Sequence, residues 1–221
     1  MGKIIILALG IMLFIKIKDY KIEWNTLFKR GIKPLDDRFG VYCITGKQGS
    51  FKSFRGIHLL LAQDKKICNK IKTNMKSIKI PGYNIEYFDK ISDINKDSEQ
   101  YCIYLIDEIS RKYDKNCRTD TQFYAWLNQS RKTHRIVILI TQEWKELPMW
   151  LRRPIKFSFT TLKNRLLNRF HLYITIVGDA ENMVLDKDGM EWICPTIGKI
   201  IWKPTQEIAS MYDTFEVVSD L

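Results

Sequence analysis

Eight consecutive residues, Gly46-Lys47-Gln48-Gly49-Ser50-Phe51-Lys52-Ser53, combine the small, cationic and hydroxylated side chains that can hold a chain of phosphates. Measured against the pattern G-x-x-x-x-G-K-[ST], Gly46 opens the loop, Lys52 reaches for the β- and γ-phosphates, and Ser53 offers its hydroxyl to Mg²⁺. Backbone N–H groups from Gly49 to Ser53, at the start of a helix, complete the anion site. The candidate nucleotide ligands are Gly46, Lys47, Gly49, Ser50, Lys52 and Ser53. Phe51 departs from the pattern, because it stands where the second glycine is expected. A phenylalanine forced to positive φ stores about 1–2 kcal/mol. Its N–H remains available to a phosphate provided the ring turns away, onto the adjacent helix or a neighbouring subunit.

Two further groups carry chemistry. Residues 101–106 form an apolar run that ends in Asp107-Glu108, the pattern of a buried parallel strand whose carboxyl end delivers two acids to the ligand edge of a sheet. Asp107 is placed to hold Mg²⁺, directly or through water, and Glu108 to orient and deprotonate an attacking water. Residues 136–140 form a second apolar run, ending in Thr141-Gln142. From the tip of a strand beside the acids, Gln142 can sense a terminal phosphate or hold the lytic water.

The elements that position these groups can be read from hydrophobic periodicity. Residues 39–45 are rich in β-branched and aromatic types and predict a strand, and Phe54, Ile57, Leu60 and Leu61 recur at helical spacing after the loop. The alternating part of residues 65–74 predicts a second strand, and residues 76–100 predict loops with one short element. A helix over residues 121–132 precedes the Thr141-Gln142 strand, and residues 148–154 predict a short turn or helix with two arginines. Strands over residues 155–161 and 170–177 follow, then a hairpin-like Asp186-Lys187-Asp188-Gly189 between apolar flanks. The fold class is α/β, a P-loop NTPase three-layer sandwich with a mainly parallel sheet and extra strands C-terminal. Residues 1–18 read as a hydrophobic N-terminal segment, 19–38 as a linker, and 39–221 as the main domain with its strand-rich extension.

At 221 residues, with 45% hydrophobic and 12% aromatic content, the chain can bury a core, which excludes intrinsic disorder. The net charge of +11 suits a polyanionic partner, nucleic acid first and an anionic membrane surface second; a lysine-rich codon vocabulary is the alternative source of the charge. Five cysteines, odd in number and without C-x-x-C pairs, fit a reducing compartment and argue against a disulfide framework or a zinc site. Residues 4–15 carry no charge and are flanked by Lys3, Lys16 and Lys18. They are either a membrane anchor, short against the roughly 20 residues that span a bilayer, or a buried strand or helix. As an anchor, the heavier positive charge after the segment puts the main domain on the cytoplasmic face of the host membrane; otherwise the host cytoplasm is expected.

Taken in order, the glycine loop, Thr73-Asn74 after the second strand, Asp107-Glu108, the Arg131-Lys132-Thr133-His134-Arg135 segment, Thr141-Gln142 and a following arginine resemble the zonula occludens toxin (Zot) family. That family belongs to the FtsK/HerA superfamily of DNA-translocating P-loop ATPases, which includes phage-assembly and genome-packaging ATPases. The resemblance covers residues 39–159. It implies ATP and Mg²⁺ as cofactors, phosphate binding by Gly46, Gly49 and Lys52, Mg²⁺ by Ser53 and Asp107, catalysis by Glu108 and sensing by Gln142. It also implies an arginine finger acting on a neighbouring subunit, for which the chain offers Arg131, Arg135, Arg152 and Arg153, with Arg135 and Arg152 preferred. The partners it implies are DNA, bound without sequence preference, and further copies of the chain in a hexamer-type ring. Lys47 sits where partitioning ATPases of the deviant Walker type carry their signature lysine, but an adjacent Asp-Glu pair followed by a Thr-Gln strand is not expected of them. A non-hydrolysing, membrane-associated assembly or scaffold protein with a decayed loop is the reading from another class.

Overall fold

The computed structural model describes residues 20–22, 39–63, 65–163, 167, 169, 171–204, 208 and 210–212. The apolar segment expected over residues 1–18 lies outside these residues. Three strands carry the centre of the molecule: β2 (Gly40–Thr45), β5 (Cys102–Ile106) and β6 (Ile136–Thr141), every residue of which is buried. Their continuous Val, Ile, Leu and Cys content follows from being covered on both faces. Side chains alternate between those faces, so Tyr42, Ile44, Leu105, Ile138 and Ile140 pack on one side, while Val41, Cys43, Tyr104, Val137 and Leu139 pack on the other.

The sheet has nine strands in the order β1-β11-β8-β7-β2-β6-β5-β3-β4. From β7 (Ile155–Leu162) through β2, β6, β5 and β3 (Lys70–Thr73) to β4 (Asn84–Tyr87), every pair is parallel. Beyond β7 the direction reverses, with β8 (Tyr173–Asp179) antiparallel to β7 and β11 (Thr196–Trp202) antiparallel to β8. The parallel core and the C-terminal strands are those expected. Within the stretch read as a linker, Tyr20–Ile22 is strand β1, paired in parallel with β11.

Helix α1 (Lys52–Leu61) covers the first face through Phe54, Ile57 and Leu60. It lies close because Gly56 faces the sheet, where a Cβ would come within 2.8 Å of Ile140 Cδ1. The other face is covered by Ile91 and Ile94 of α2 (Ile91–Ile94), Ile109 of α3 (Ile109–Lys112), Phe123 and Leu127 of α4 (Thr121–Asn128), and Leu151 of α5 (Met149–Arg152). Helices on both sides of the sheet make three layers. Residues 76–100 hold two short elements, β4 and α2, where one was expected. Helix α4 stops at Asn128, short of residue 132, because the chain turns there to enter β6, with the Arg135 N–H bonded back to the Ser130 carbonyl at 2.7 Å. The expected hairpin is β9 (Val184–Leu185) against β10 (Trp192–Ile193), a separate two-stranded sheet.

Candidate active site

The loop after β2 is held from two sides. Gly46 donates its N–H to the Gln142 carbonyl at 3.0 Å, which ties the loop to the tip of β6. On the other side, Thr161 of β7 donates to the Thr45 carbonyl at 3.0 Å, so the Ser50 hydroxyl, 2.9 Å from Thr161 Oγ1, is the donor of that pair. A Cβ on residue 46 would lie 2.3 Å from both Ser50 Oγ and Thr161 Oγ1, so only glycine fits. Gly49, at φ 73°, is the residue whose backbone needs glycine's freedom. The Ser50 hydroxyl is thus a strut of the loop, while Lys47 is exposed.

Phe51 adopts the left-handed conformation, φ 63° and ψ 31°. Its carbonyl accepts from the Arg55 N–H at 3.0 Å and starts α1. Its ring is half-buried against Phe54 of α1, with centroids 5.3 Å apart, and Tyr173 of β8, at 4.4 Å. The ring therefore packs into the apolar layer within its own chain. Lys52 and Ser53 open α1, whose first-turn N–H groups have no acceptors within the helix.

Ser53 donates its hydroxyl to Asp107 Oδ2 at 2.9 Å, joining α1 to the end of β5. Asp107 is buried, and Asn74, just past β3, grips its backbone from both sides: Asn74 Nδ2 donates to the Asp107 carbonyl at 3.0 Å and the Asp107 N–H donates to Asn74 Oδ1 at 2.9 Å. The Glu108 N–H donates to Asp107 Oδ1 at 2.8 Å. Burial pushes the Asp107 carboxyl up to about 6; the Ser53 hydroxyl, the Lys52 charge and the Glu108 amide offset only part of that effect. Glu108 itself is left-handed at φ 53°, and its carboxylate stands 2.5 Å from Arg111 Nε one turn on, in ion-pair contact but without hydrogen-bond alignment. Gln142 is exposed at the tip of β6, which lies between the loop strand and the Asp-Glu strand.

Neither a protein-family model nor a curated protein matches this sequence. Among solved structures, the N-terminal domain of zonular occludens toxin from Neisseria meningitidis superposes with a TM-score of 0.56, covering 80% of this chain and 100% of that one at 17% identity. The genome packaging NTPase B204 from Sulfolobus turreted icosahedral virus 2, in complex with sulfate, superposes at 0.50, covering 77% and 98% at 13% identity. Its complex with ATP-gammaS gives 0.50 as well, over 77% and 100% at 11% identity. This chain has the P-loop NTPase fold. At such identities the likeness is one of fold, and the chemistry rests on the residues just described.

In this P-loop NTPase fold the loop residues, Asp107, Glu108 and Gln142 come together at the carboxyl ends of β2, β5 and β6. The two preferred arginines do not join them. Arg135 is 2% exposed at the opposite end of β6, with Nε and Nη2 donating to the Glu99 and Asp97 carbonyls at 2.7 and 2.6 Å and its guanidinium over Trp126. Arg152 is 8% exposed and donates to the carbonyls of Leu147 at 2.8 Å, Lys145 at 2.9 Å and Trp192 at 3.5 Å. Both guanidiniums are consumed by backbone carbonyls inside their own chain, which corrects the expectation that either reaches a neighbour. Arg131 pairs with Glu181, and Arg153 is exposed. Two supporting residues had no assigned role in the sequence. Asn74 was signalled by the Thr-Asn pair after a strand, whereas Thr161, about a hundred residues from its partners, had no local signal.

Ser53 Oγ and Asp107 Oδ2 suit Mg²⁺. Both are hard oxygen donors already in contact, and a carboxylate under a burial penalty is stabilised by a cation.

Proposed function

We propose that the chain is an ATPase that hydrolyses ATP at subunit interfaces of a homo-oligomer and uses it to move DNA, in genome packaging or phage assembly. The observation that carries the reading is the Ser53–Asp107 hydrogen bond, which joins the phosphate-loop helix to the Asp-Glu strand with Gln142 at the strand between them. Lys52 and the first-turn amides of α1 would hold the phosphates, and Gln142 would contact the terminal phosphate or the water in line with it. Bound at Ser53 and Asp107, Mg²⁺ would neutralise phosphate charge. Glu108 would take the proton of that water, and its carboxylate must first leave the Arg111 side of its range. The solved complex of B204 with ATP-gammaS supports nucleotide binding on this fold. The net charge of +11 supports DNA as the polyanion. The site of action would be the host cytoplasm or the cytoplasmic face of its membrane. Among the described residues no helix is long and apolar enough to cross a membrane.

The competing reading is a non-hydrolysing scaffold, favoured by Phe51 in the loop and by two arginines committed internally. Phosphate release from ATP, with and without DNA, separates the two. Wild type should turn over and be stimulated by DNA, while Glu108→Gln binds ATP and loses at least about 100-fold in turnover. A wild-type protein that releases no phosphate in either condition is the scaffold.

A further inference from the structure

Of the ten large hydrophobics exposed among the described residues, six fall within residues 184–197: Val184, Leu185, Met190, Trp192, Ile193 and Ile197. The first five belong to the β9–β10 hairpin. Register pairs Trp192 with Leu185 and Ile193 with Val184, so each pair lies on its own face. All four side chains are 42–49% exposed, and Met190 in the turn is 84% exposed. Both faces of the hairpin are therefore left nearly half exposed, and a two-stranded hairpin alone is marginal in water.

This hairpin is nevertheless well built. The Asp186 carboxylate accepts from the N–H groups of Met190 at 2.8 Å and Glu191 at 3.3 Å, and the Asp186 N–H donates to the Glu191 carbonyl at 2.8 Å. At its base the Trp192 carbonyl accepts from Trp144 Nε1 at 3.2 Å and Arg152 Nη1 at 3.5 Å. Arg152 also holds the Lys145 and Leu147 carbonyls, in the turn that follows Gln142. An ordered apolar arm is thus pinned to the segment behind the sensing residue.

We infer that this hairpin docks on a second copy of the chain. Charge selects the occupant. The hairpin carries Asp186, Asp188 and Glu191 against Lys187, so it is acidic in a chain of net charge +11. Acids around the apolar tip repel DNA and an anionic lipid surface, whereas another copy presents cations such as Lys112, Lys115 and Arg118, all exposed. A contact between unlike surfaces of identical chains is head-to-tail, the kind that closes a ring. The purpose of the assembly rests on the ATPase reading, but the contact does not.

The test is the mass of the full-length protein by sedimentation velocity across concentration, for wild type, Leu185→Ser/Ile193→Ser and Asp188→Lys. All three share residues 1–38, so association through that segment cancels in the comparison. Wild type should self-associate, and both variants should weaken association at least about tenfold, with thermal unfolding unchanged. Variants that assemble like wild type overturn the inference, as does a wild type that is monomeric throughout. So does loss of binding to phosphatidylglycerol vesicles in the variants with mass unchanged, which would make the occupant lipid. Because mass is read without turnover, an inactive protein that still assembles through the hairpin would sink the ATPase reading alone.

Discussion

Phe51 occupies a backbone region that costs a side-chain-bearing residue about 1–2 kcal/mol, and its ring recovers that cost by packing on Phe54 and Tyr173. Replacing it with glycine relieves the strain but deletes a half-buried ring. Full burial would make that deletion worth about 3–5 kcal/mol, and half burial roughly 2. Glycine's added freedom in the unfolded chain takes away about 0.5–1 kcal/mol more. Phe51→Gly should therefore lower stability by about 0.5–2 kcal/mol, a fall of roughly 2–6 °C in melting temperature. ATP affinity should stay within about twofold, because the ring is turned into the apolar layer. An unchanged or higher melting temperature would show that the strain outweighs the packing. Asp107 makes the opposite bargain. Its carboxyl is lifted from an ordinary 3.8 to about 6 by burial, so the folded protein holds that proton more tightly than the unfolded chain does. This group's contribution to stability is present below about pH 4 and is lost as pH rises through about 6. Glu86, Asp97 and Glu99, depressed by Lys70 and Lys72, pull the other way as pH falls. The contribution of Asp107 is therefore read as wild type against Asp107→Asn, without nucleotide. The variant should be the more stable by up to roughly 3 kcal/mol at pH 7–8, with the gap closing toward pH 4 and Mg²⁺-dependent ATP binding lost. A gap that widens with acid would reverse the assignment.

At the scale of elements, β2, β5 and β6 were legible because a strand buried on both faces leaves no alternative to an unbroken apolar run. The loop, the two acids and Gln142 followed, since strand ends set where polar residues begin. The arginines were not legible. Arg135 and Arg152 look like surface cations in sequence, and only the fold brings the carbonyls of Asp97, Glu99, Lys145, Leu147 and Trp192 around them. Strand β1 was equally hidden, because three residues carry no periodicity and its partner β11 lies about 180 residues away. The corrected role of Arg152 has a consequence for stability. Arg152→Ala leaves the Lys145 and Leu147 carbonyls to find new donors and should cost about 2–4 kcal/mol in denaturant unfolding. Arg152→Lys should recover little of it, because an ammonium cannot span the planar fork. An Arg152→Ala protein as stable as wild type would return Arg152 to the pool of candidate fingers.

For the molecule as a whole, +11 is a sum that acquires meaning only against a polyanion. DNA affinity should fall steeply with salt, with a log–log slope near −0.9 for each duplex phosphate contacted and little preference for sequence. Affinity that stays flat between low and physiological salt would leave the charge to codon usage. The sheet itself is divided at β7, which is parallel to β2 on one side and antiparallel to β8 on the other. Both halves touch the phosphate loop: Thr161 of β7 through Ser50, and Tyr173 of β8 through Phe51. A loop fastened in this way has no free edge on the side of β7 and β8. A shift of this loop would therefore have to be accommodated in β7 and β8, and β8 is joined through β11 to β1, the short strand that follows residues 1–18 in the chain.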